Sequence, residues 1–348
     1  MIRAMENRAT NSGISAAESG GLQDSFRRPI RYLRLSVTDR CDLRCTYCMP
    51  EAQTFLPRSE LLSLEELYQL ALAFIDRGIT RIRLTGGEPL VRRDVIDLVR
   101  AIGRRIGHGL DELTLTTNGT QLASFAGPLF DAGVRRINVS LDSRDPATFA
   151  AITRRARLAD VLEGIAAARE AGLKVKLNTV AYKGVNEAEL PDLVAWAHAQ
   201  GYDITLIEVM PLGEIEQRRT SQFLPLTEVR DRLDQRWSLS ESSHRTGGPA
   251  RYYDIAETGG RIGLISPLTR NFCDSCNRIR VTATGQLYPC LGHEDRIDLR
   301  AALRSDDSEA RLDEAIAAAM RIKPLRHGFA IGEGSGPAVS RHMSMTGG

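Results

Sequence analysis

Two regular patterns of apolar and polar positions alternate along this chain. Six short runs rich in apolar and β-branched residues cover residues 32–37, 81–84, 113–117, 137–141, 175–181 and 204–209. Runs of this length and composition predict β-strands. Between them lie stretches with helical period, such as residues 64–75 and 158–171. The chain is therefore predicted to contain six successive β/α repeats.

Strands that alternate with helices predict an α/β fold, with a parallel sheet and helices outside it. Six units are too few to close a barrel of the TIM type, so we expect an incomplete (β/α)6 TIM-type barrel that is open on one side. Residues 1–27 contain few apolar positions and predict a disordered N-terminal leader. We assign residues 28–215 to the partial barrel and residues 216–348 to a C-terminal α+β domain.

Composition and charge narrow the class of protein. The chain has 348 residues, 42% of them hydrophobic, and no apolar run approaches the ~20 residues that a membrane span needs. The formal net charge of +2 creates no overall field that would favour nucleic acid. No secretory leader is visible in the sequence. We expect a soluble, cytoplasmic protein with neither nucleic acid nor a membrane as partner.

The cysteines fall into two groups at opposite ends of the chain. The first triad is Cys41, Cys45 and Cys48, and the second triad is Cys273, Cys276 and Cys290. Three thiolates can hold three corners of a cubane iron–sulfur cluster and leave the fourth iron open to another ligand. The C-x3-C-x2-C spacing of the first triad is too tight for three separate disulfides. The second triad together with His293 also has acceptable spacing for a Cys3His zinc site, and this alternative stays open.

Polar residues and glycines recur where the predicted strands end. Gly87 follows the second strand, Thr116 lies at the end of the third, Ser140 and Asp142 lie at the end of the fourth, and Met210 closes the sixth. Because the carboxyl ends of parallel strands meet at one edge of the sheet, we expect these residues to lie beside the first triad. Each also has an ordinary structural explanation. A Gly-Gly before Glu-Pro is a common β–α connection, and Asp142 could cap a helix.

Seven motifs, in this order along the chain, resemble one family. They are Arg34-Leu-Ser-Val-Thr-Asp-Arg-Cys41, Cys45-Thr-Tyr47-Cys48-Met-Pro, Arg83-Leu-Thr-Gly-Gly-Glu-Pro, Thr116-Thr-Asn-Gly, Arg136-Ile-Asn-Val-Ser140-Leu-Asp, Ile207-Glu-Val-Met210-Pro and Cys273-Asp-Ser-Cys276-Asn-Arg278-Ile-Arg280. With the terminal Gly-Gly, they resemble the molybdenum-cofactor biosynthesis protein A family, which are GTP 3′,8-cyclases of the radical S-adenosylmethionine (SAM) superfamily. The resemblance runs from about residue 28 to the terminus.

The resemblance implies roles for individual residues. Two 4Fe–4S clusters would be ligated by the two triads, which are Cys41, Cys45 and Cys48, and Cys273, Cys276 and Cys290. SAM would be bound by Tyr47, Gly87, Ser140 and Met210. GTP would be bound by Arg34, Arg83, Thr116, Lys176, Arg278 and Arg280. A catalytic role would belong to Arg34, Gly347 and Gly348.

The implied activity is that of a lyase that converts GTP to 3′,8-cyclo-7,8-dihydro-GTP, the first step of molybdenum cofactor (molybdopterin) biosynthesis. A 5′-deoxyadenosyl radical from SAM would remove hydrogen from ribose C3′, and a bond would then form to guanine C8. The implied partners are an electron donor such as flavodoxin or ferredoxin and a downstream cyclic pyranopterin monophosphate synthase. A homodimer is compatible with the resemblance.

The chain departs from the family pattern at one position. Thr205 stands where the family usually carries an arginine, which weakens the expected grip on the triphosphate. This change leaves open a radical SAM enzyme with an auxiliary cluster that modifies a peptide. An iron–sulfur or zinc protein with an electron-transfer or binding role is the alternative without enzymatic activity.

Overall fold

Twelve strands form one sheet in the part of the chain that this computed structural model describes, which is residues 21–215, 219–330 and 336–347. In chain order the strands are β1 (Tyr32–Ser36), β2 (Arg81–Thr85), β3 (Glu112–Thr117), β4 (Arg136–Ser140), β5 (Lys174–Ala181), β6 (Asp203–Glu208), β7 (Leu239–Glu241), β8 (Arg251–Ile255), β9 (Gly260–Ile265), β10 (Arg278–Val281), β11 (Gln286–Tyr288) and β12 (Ile297–Asp298). Their order across the sheet is β12-β11-β10-β1-β2-β3-β4-β5-β6-β9-β8-β7.

Neighbouring strands are parallel from β10 through β1 to β6 and on to β9. The six predicted strands are confirmed as β1 to β6, with bounds that differ from the prediction by no more than one residue at each end. The parallel region has two strands more than the six predicted repeats, because β9 and β10 extend it on its two sides. Each of these two strands also pairs with an antiparallel neighbour, so neither shows the β/α period in the sequence.

Helices connect the first six strands. In chain order the helices are α1 (Leu64–Asp76), α2 (Val95–Gly103), α3 (Leu122–Asp131), α4 (Pro146–Thr153), α5 (Leu158–Glu170), α6 (Leu190–Ala199), α7 (Arg219–Gln222), α8 (Leu226–Asp234), α9 (Leu299–Leu303), α10 (Ser308–Ile322) and α11 (Met343–Thr346). The helices predicted at 64–75 and 158–171 are confirmed as α1 and α5. Ser63 and Glu66 begin α1 with a reciprocal capping box, which satisfies two backbone donors at its start.

The first strand, β1, directs leucines to one face of the sheet and polar side chains to the other. On β1, Leu33 and Leu35 are fully buried and share the hydrophobic core with Leu70 and Phe74 of α1. Arg34 alternates with these leucines and therefore projects from the opposite face. Burial of the leucines under the helices thus determines which way the arginine points.

Residues on both sides of position 215 contribute strands to this one sheet, and the predicted division of the chain at that position stays a prediction. Residues 21–27, which belong to the predicted leader, are packed against the body of the protein. Asp24 is 5% exposed and forms an ion pair of 2.6 Å with Arg28, and the amide of Leu22 donates to the carbonyl of Arg77. Residues 1–20 lie outside the described residues. Within the described chain, every helix is too short or too polar to cross a membrane.

Candidate active site

A row of arginines crosses the polar face of the sheet. Arg34 of β1 is in register with Arg83 of β2 on one side and with Arg280 of β10 on the other. Residues in register on adjacent parallel strands share a face, so the three side chains project together. Arg278 lies on the same strand as Arg280 and two residues before it, as the sequence indicated. All four arginines are at most 8% exposed.

The arginine row is positively charged and has unused hydrogen-bond donors. Burial lowers the pKa of Arg34 well below its usual value, and the charges of Arg280 and Arg83 lower this pKa further. Burial and the charge of Arg278 lower the pKa of Arg280 to about 10. The buried Nε–H groups of Arg34, Arg83 and Arg280 have no acceptor among the described residues. A buried donor without a partner costs ~1–3 kcal/mol, so this face is built to receive an anion.

Lys176 of β5 extends the cationic face towards β8. Its Nζ lies 2.5 Å from the hydroxyl oxygen of Tyr252, and burial followed by the charge of Arg83 lowers its pKa to about 7. Thr205 is fully buried on the neighbouring strand. A Cβ on Gly263, which is in register with Thr205, would lie 2.7 Å from Oγ1 of Thr205 and 3.0 Å from the Tyr252 ring. Thr205 and Gly263 thus pack against the ring of Tyr252. Thr205 occupies the position at which the resembled family usually has an arginine.

The first triad lies in the loop after β1, and the loop after β2 packs directly on it. The amide of Gly87 donates to the carbonyl of Thr38 at 2.8 Å, and the amide of Glu88 donates to that of Arg40 at 2.7 Å. A Cβ on Gly87 would lie only 2.3 Å from the carbonyl oxygen of Arg40. Close packing of the two loops thus explains this glycine without a ligand. Its role in binding SAM stays a prediction.

Glu88 connects the loops around the first triad. Its carboxylate is fully buried and accepts hydrogen bonds from the amides of Leu90 and Asn118 and from the hydroxyl of Thr117. Burial raises its pKa to about 7. The Asn118 side chain in turn lies 3.7 Å from the Cys41 sulfur. Glu88 therefore helps to position the cysteine loop through Asn118.

The chemistry of the first triad fits an iron–sulfur cluster. All six cysteines are free thiols. Burial raises the pKa values of Cys41, Cys45 and Cys48, and that of Cys48 reaches about 12, so these thiols stay protonated at neutral pH and would release their protons when they bind iron. Nowhere in the described ranges do three Cys, His, Asp or Glu side chains already form a group that could hold one metal ion. The thiolates of a cubane cluster bind different irons, so its ligands need not converge on one point.

Tyr47 is held in place beside the first triad. Its hydroxyl donates to a carboxylate oxygen of Asp142 at 2.9 Å, and its ring centroid lies 5.7 Å from that of Tyr182. The other Asp142 oxygen accepts from the amide of Val180 at 2.8 Å. The N-cap of α4 is Asp145, so the helix-cap interpretation of Asp142 is wrong. Asp142 instead fixes the orientation of the tyrosine.

The second triad has cationic surroundings. Lys323 Nζ lies 3.6 Å from the Cys276 sulfur. Burial alone would raise the pKa of Cys276, but the charges of Arg278 and Lys323 outweigh it and lower this pKa to about 6. His293 Nε2 lies 3.0 Å from the carbonyl oxygen of Arg326, so this nitrogen is engaged away from the thiols. The positive charges fit a group that carries several thiolates.

One cavity brings together most of the residues that the sequence analysis selected. Those that line it are Arg34, Tyr47, Thr116, Ser140, Met210, Arg278 and Arg280. Phe272, Leu291 and Met343 also line it, and the sequence analysis missed them because isolated apolar residues in loops and short helices carry no distinguishing pattern. Arg83 and Lys176 lie on the same polar face but outside the lining of this cavity.

The C-terminal segment 336–347 passes from the second triad to the first. Arg341 donates to the carbonyl oxygens of His293 at 2.6 Å and Cys290 at 3.3 Å. Three residues later, the backbone of Ser344 lies beside Cys48, where it lowers the pKa of the thiol against the larger effect of burial. This segment is therefore in contact with both cysteine sites.

Gly347 lies against the end of β2. Its φ is +71°, and a Cβ at this position would lie 2.2 Å from Oγ1 of Thr85. Only glycine fits this backbone conformation and this space without strain. The predicted catalytic Gly348 lies outside the described residues.

Comparisons with known proteins agree with this arrangement. A profile of the Radical SAM superfamily matches residues 35–197, and a profile described as Molybdenum Cofactor Synthesis C matches residues 202–329. The solved structure of Streptococcus suis SuiB bound to S-adenosylmethionine aligns with a TM-score of 0.56 at 16% identity, covering 85% of this chain and 66% of SuiB. The structure of native anSMEcpe with bound AdoMet aligns with a TM-score of 0.56 at 15% identity, covering 82% and 83% of the two chains. At these identities, the structures indicate a shared fold alone.

Similarity to curated proteins is much higher. A GTP 3′,8-cyclase of Erythrobacter litoralis is 67% identical over 327 residues, which cover 94% of this chain and 98% of the relative. A GTP 3′,8-cyclase of Sinorhizobium medicae is 57% identical over 341 residues, which cover 97% and 98% of the two chains. With the arginine row and the two cysteine triads in place, these matches establish that this chain belongs to the GTP 3′,8-cyclase family of the radical SAM superfamily.

Proposed function

We propose that this protein converts GTP to 3′,8-cyclo-7,8-dihydro-GTP, the first step of molybdenum cofactor biosynthesis. The observation that carries the proposal is the row formed by Arg34, Arg83 and Arg280, whose buried Nε–H groups find no acceptor within the described part of the chain. A triphosphate supplies several oxygen atoms and a high negative charge, which match clustered guanidinium groups. The row lies beside the loop of the first triad, where radical chemistry would begin.

The first triad would hold a 4Fe–4S cluster through Cys41, Cys45 and Cys48. When bound, this cluster and SAM supply a 5′-deoxyadenosyl radical by reductive cleavage. Tyr47 is prepositioned by its hydrogen bond to Asp142, and Ser140 and Met210 line the same cavity. These three residues and Gly87 would hold SAM close to the nucleotide and exclude water from it.

The second triad would hold a second 4Fe–4S cluster next to the guanine. Lys323 and Arg278 lie beside Cys276 and would balance the negative charge of the bound group. Arg278 and Arg280 also line the active-site cavity, and Thr116 lines the same cavity. We assign these residues, with Arg34, Arg83 and Lys176, to the orientation of GTP between the two triads.

Arg34 and the terminal glycines complete the proposed catalytic set. Arg34 lies at the centre of the arginine row, where its guanidinium group would contact the nucleotide. Gly347 ends a segment that contacts both triads, so Gly347 and Gly348 would place backbone groups beside the reacting ribose.

The proposal also covers the architecture, the partners and the location of the protein. The six β/α repeats would build an incomplete barrel. A flavodoxin or ferredoxin would donate electrons, a cyclic pyranopterin monophosphate synthase would act downstream, and the location would be cytoplasmic.

Anaerobic reconstitution followed by product analysis tests the proposed function. The reduced protein with GTP and SAM should form 5′-deoxyadenosine and a cyclised nucleotide of the same mass as GTP. Arg34→Gln should reduce cyclisation strongly, whereas Arg100→Gln, which changes an exposed arginine of α2 paired with Asp97, should not. SAM cleavage without any cyclised nucleotide, under conditions where both clusters are loaded, would contradict the proposal.

A further inference from the structure

A second large cavity adjoins the active-site cavity, and its lining is rich in arginine. Its volume is about 730 Å³, and it lies between the β7–β8 connection and the loop that precedes β10. We call it the arginine cavity, because Arg245, Arg251, Arg270 and Arg278 line it. The sequence resemblance assigned a role to only one of these four residues, Arg278.

The positive charge of the arginine cavity is only partly balanced by its own acidic residues. None of its four arginines forms an ion pair with a carboxylate of the described residues. Nη1 of Arg251 is buried and has no hydrogen-bond partner there. Of the two acidic residues in the lining, Glu241 and Asp274, the latter is engaged with Arg326 at 3.5 Å. Four arginines with two acidic residues, one of them engaged elsewhere, and a buried donor of Arg251 without a partner in the described chain favour a ligand with several anionic oxygens.

The arginine cavity is continuous with the place where the nucleotide would react. Pro249, Phe272 and Arg278 line both cavities, and the Arg278 guanidinium lies 5.1 Å from the centre of the Phe272 ring. Tyr252 forms another part of the lining, and its hydroxyl oxygen lies 2.5 Å from Lys176 Nζ. Only the side chains of Phe272, Arg278 and Tyr252 therefore lie between an anion in this cavity and the cationic face of the sheet.

We propose that the arginine cavity is a binding site for the polyphosphate of the incoming nucleotide, on its route to the active-site cavity. The proposal rests on the proposed function in so far as GTP is the nucleotide. Arg251 and Arg270 would bind the phosphate oxygens first. Arg278, which lines both cavities, would then bind them as the nucleotide moves towards the arginine row. This site also supplies cations in a chain where Thr205 replaces the arginine of the family pattern.

Kinetics of the reconstituted holoenzyme provide the first test. Arg251→Gln and Arg270→Gln should each raise the KM for GTP about tenfold while kcat changes little, because the lost contact acts on capture and not on the reacting atoms. The KM increase should shrink at high salt. Arg251→Lys should recover part of the loss. Arg236→Gln removes a surface arginine that pairs with Asp192 and serves as the matched control with unchanged KM.

Binding of inorganic tripolyphosphate to the holoenzyme separates this proposal from the proposed function. The wild-type protein should bind tripolyphosphate in competition with GTP, and Arg251→Gln should weaken this binding about tenfold while iron content and melting temperature match those of the control. Weakened tripolyphosphate binding without any cyclised product in the wild type would support the cavity and contradict the proposed function. Cyclisation with unaltered KM and unaltered tripolyphosphate binding in both variants would overturn the cavity proposal alone.

Discussion

Five buried cations on one face of a sheet require a physical explanation at the level of single residues. They are Arg34, Arg83, Lys176, Arg278 and Arg280, each at most 8% exposed. Their burial and mutual repulsion lower the pKa values of Arg34, Arg280 and Lys176, so the face is electrostatically unfavourable without an anion. Clustered buried cations of this kind lower the stability of the free protein, and they strengthen the binding of phosphate because the bound anion neutralises their charge.

Lys176 is expected to make the proposed binding of GTP pH-dependent. The groups that face it are Tyr252 from β8, Arg83 from β2, Arg136 from β4 and Asp203 from β6, and only Asp203 favours its charged form. Its pKa in the free protein is about 7, whereas bound phosphate favours the ammonium form and raises this pKa. Binding therefore takes up a proton above pH 7. The affinity for GTP is expected to fall as pH rises from about 7, by up to about tenfold per pH unit.

Isothermal titration in two buffers with different ionisation enthalpies measures this proton uptake. Lys176→Arg is the matched control, because arginine stays charged over the same pH range and should flatten the dependence. Equal pH slopes for the wild type and for Lys176→Arg would show that another group is responsible.

Gly87 is expected to tolerate no side chain. A Cβ there would lie 2.3 Å from the carbonyl oxygen of Arg40, so Gly87→Ala should push the cysteine loop away. We expect a loss of stability of ~1–3 kcal/mol and a large loss of iron from the first triad. Urea unfolding of the metal-free protein and iron analysis after reconstitution measure the two effects.

Gly127 provides the comparison for that substitution. It lies inside α3, and no atom lies within 4 Å of the Cβ that alanine would add. Gly127→Ala should therefore leave iron content unchanged, and the free energy of unfolding should change by less than ~1 kcal/mol, because the preference of the helix for alanine is offset by the ring of Pro128, which disfavours a Cβ on the preceding residue. Iron loss of similar size in both variants would argue against the loop-packing explanation.

At the level of elements, the C-terminal segment 336–347 acts as a strap across the site. Arg341 is 6% exposed, stacks 4.1 Å from the Tyr288 ring and forms a 2.9 Å ion pair with Glu294. The amide of Ser340 donates to the same carboxylate at 2.6 Å. These contacts anchor the strap on the loop of Cys290, and α11 then reaches Cys48.

Loss of this anchor should separate SAM cleavage from cyclisation. In Arg341→Gln, iron content and SAM cleavage should stay within about twofold of wild type, whereas cyclised product should fall more than about tenfold because the terminal glycines are no longer positioned. Anaerobic product analysis measures both, and limited proteolysis of the holoenzyme reports whether the strap is loose. Arg311→Gln removes an exposed pair with Glu314 on α10 and is the control. Unchanged cyclisation by a protein whose strap is readily cleaved would refute this role.

At the scale of the whole molecule, the two triads come from distant parts of the chain but are joined through two adjacent strands of one sheet. β1 leads into the first triad, and the second triad surrounds the start of β10, which pairs with β1. The two sites should therefore load independently yet act on one substrate. The fully loaded protein should contain about eight irons, four for each cluster.

Cysteine substitutions test this division of roles. Cys273→Ser should lose about half of the iron and nearly all cyclisation while retaining measurable SAM cleavage, since SAM needs only the first cluster. Cys45→Ser should lose about half of the iron and both activities. Zinc in place of half of the iron would instead restore the Cys3His interpretation of the second triad. Equal loss of SAM cleavage in the two variants, with folding intact, would contradict the division.

The sequence by itself determined the local features of this protein. Alternation of apolar and polar residues located β1 to β6 to within one residue, because the period of a strand or helix depends on near neighbours in the chain. The sequence also showed the cysteine spacings and the Gly86-Gly87 pair directly, since the residues of one loop are neighbours in the chain. The same local evidence also made Asp142 resemble a helix cap, which the structure showed to be wrong.

Only the tertiary structure decided which distant residues meet. Three features join segments that are far apart in sequence. Arg34 is in register with Arg280, Tyr252 packs over Gly263 and reaches Lys176, and the strap connects the two triads. No local pattern encodes such contacts, because they depend on how the whole sheet packs and on which strands enter it from outside the β/α repeats. For the same reason the arginine cavity, built from two loops and a strand end, has no signature in the sequence.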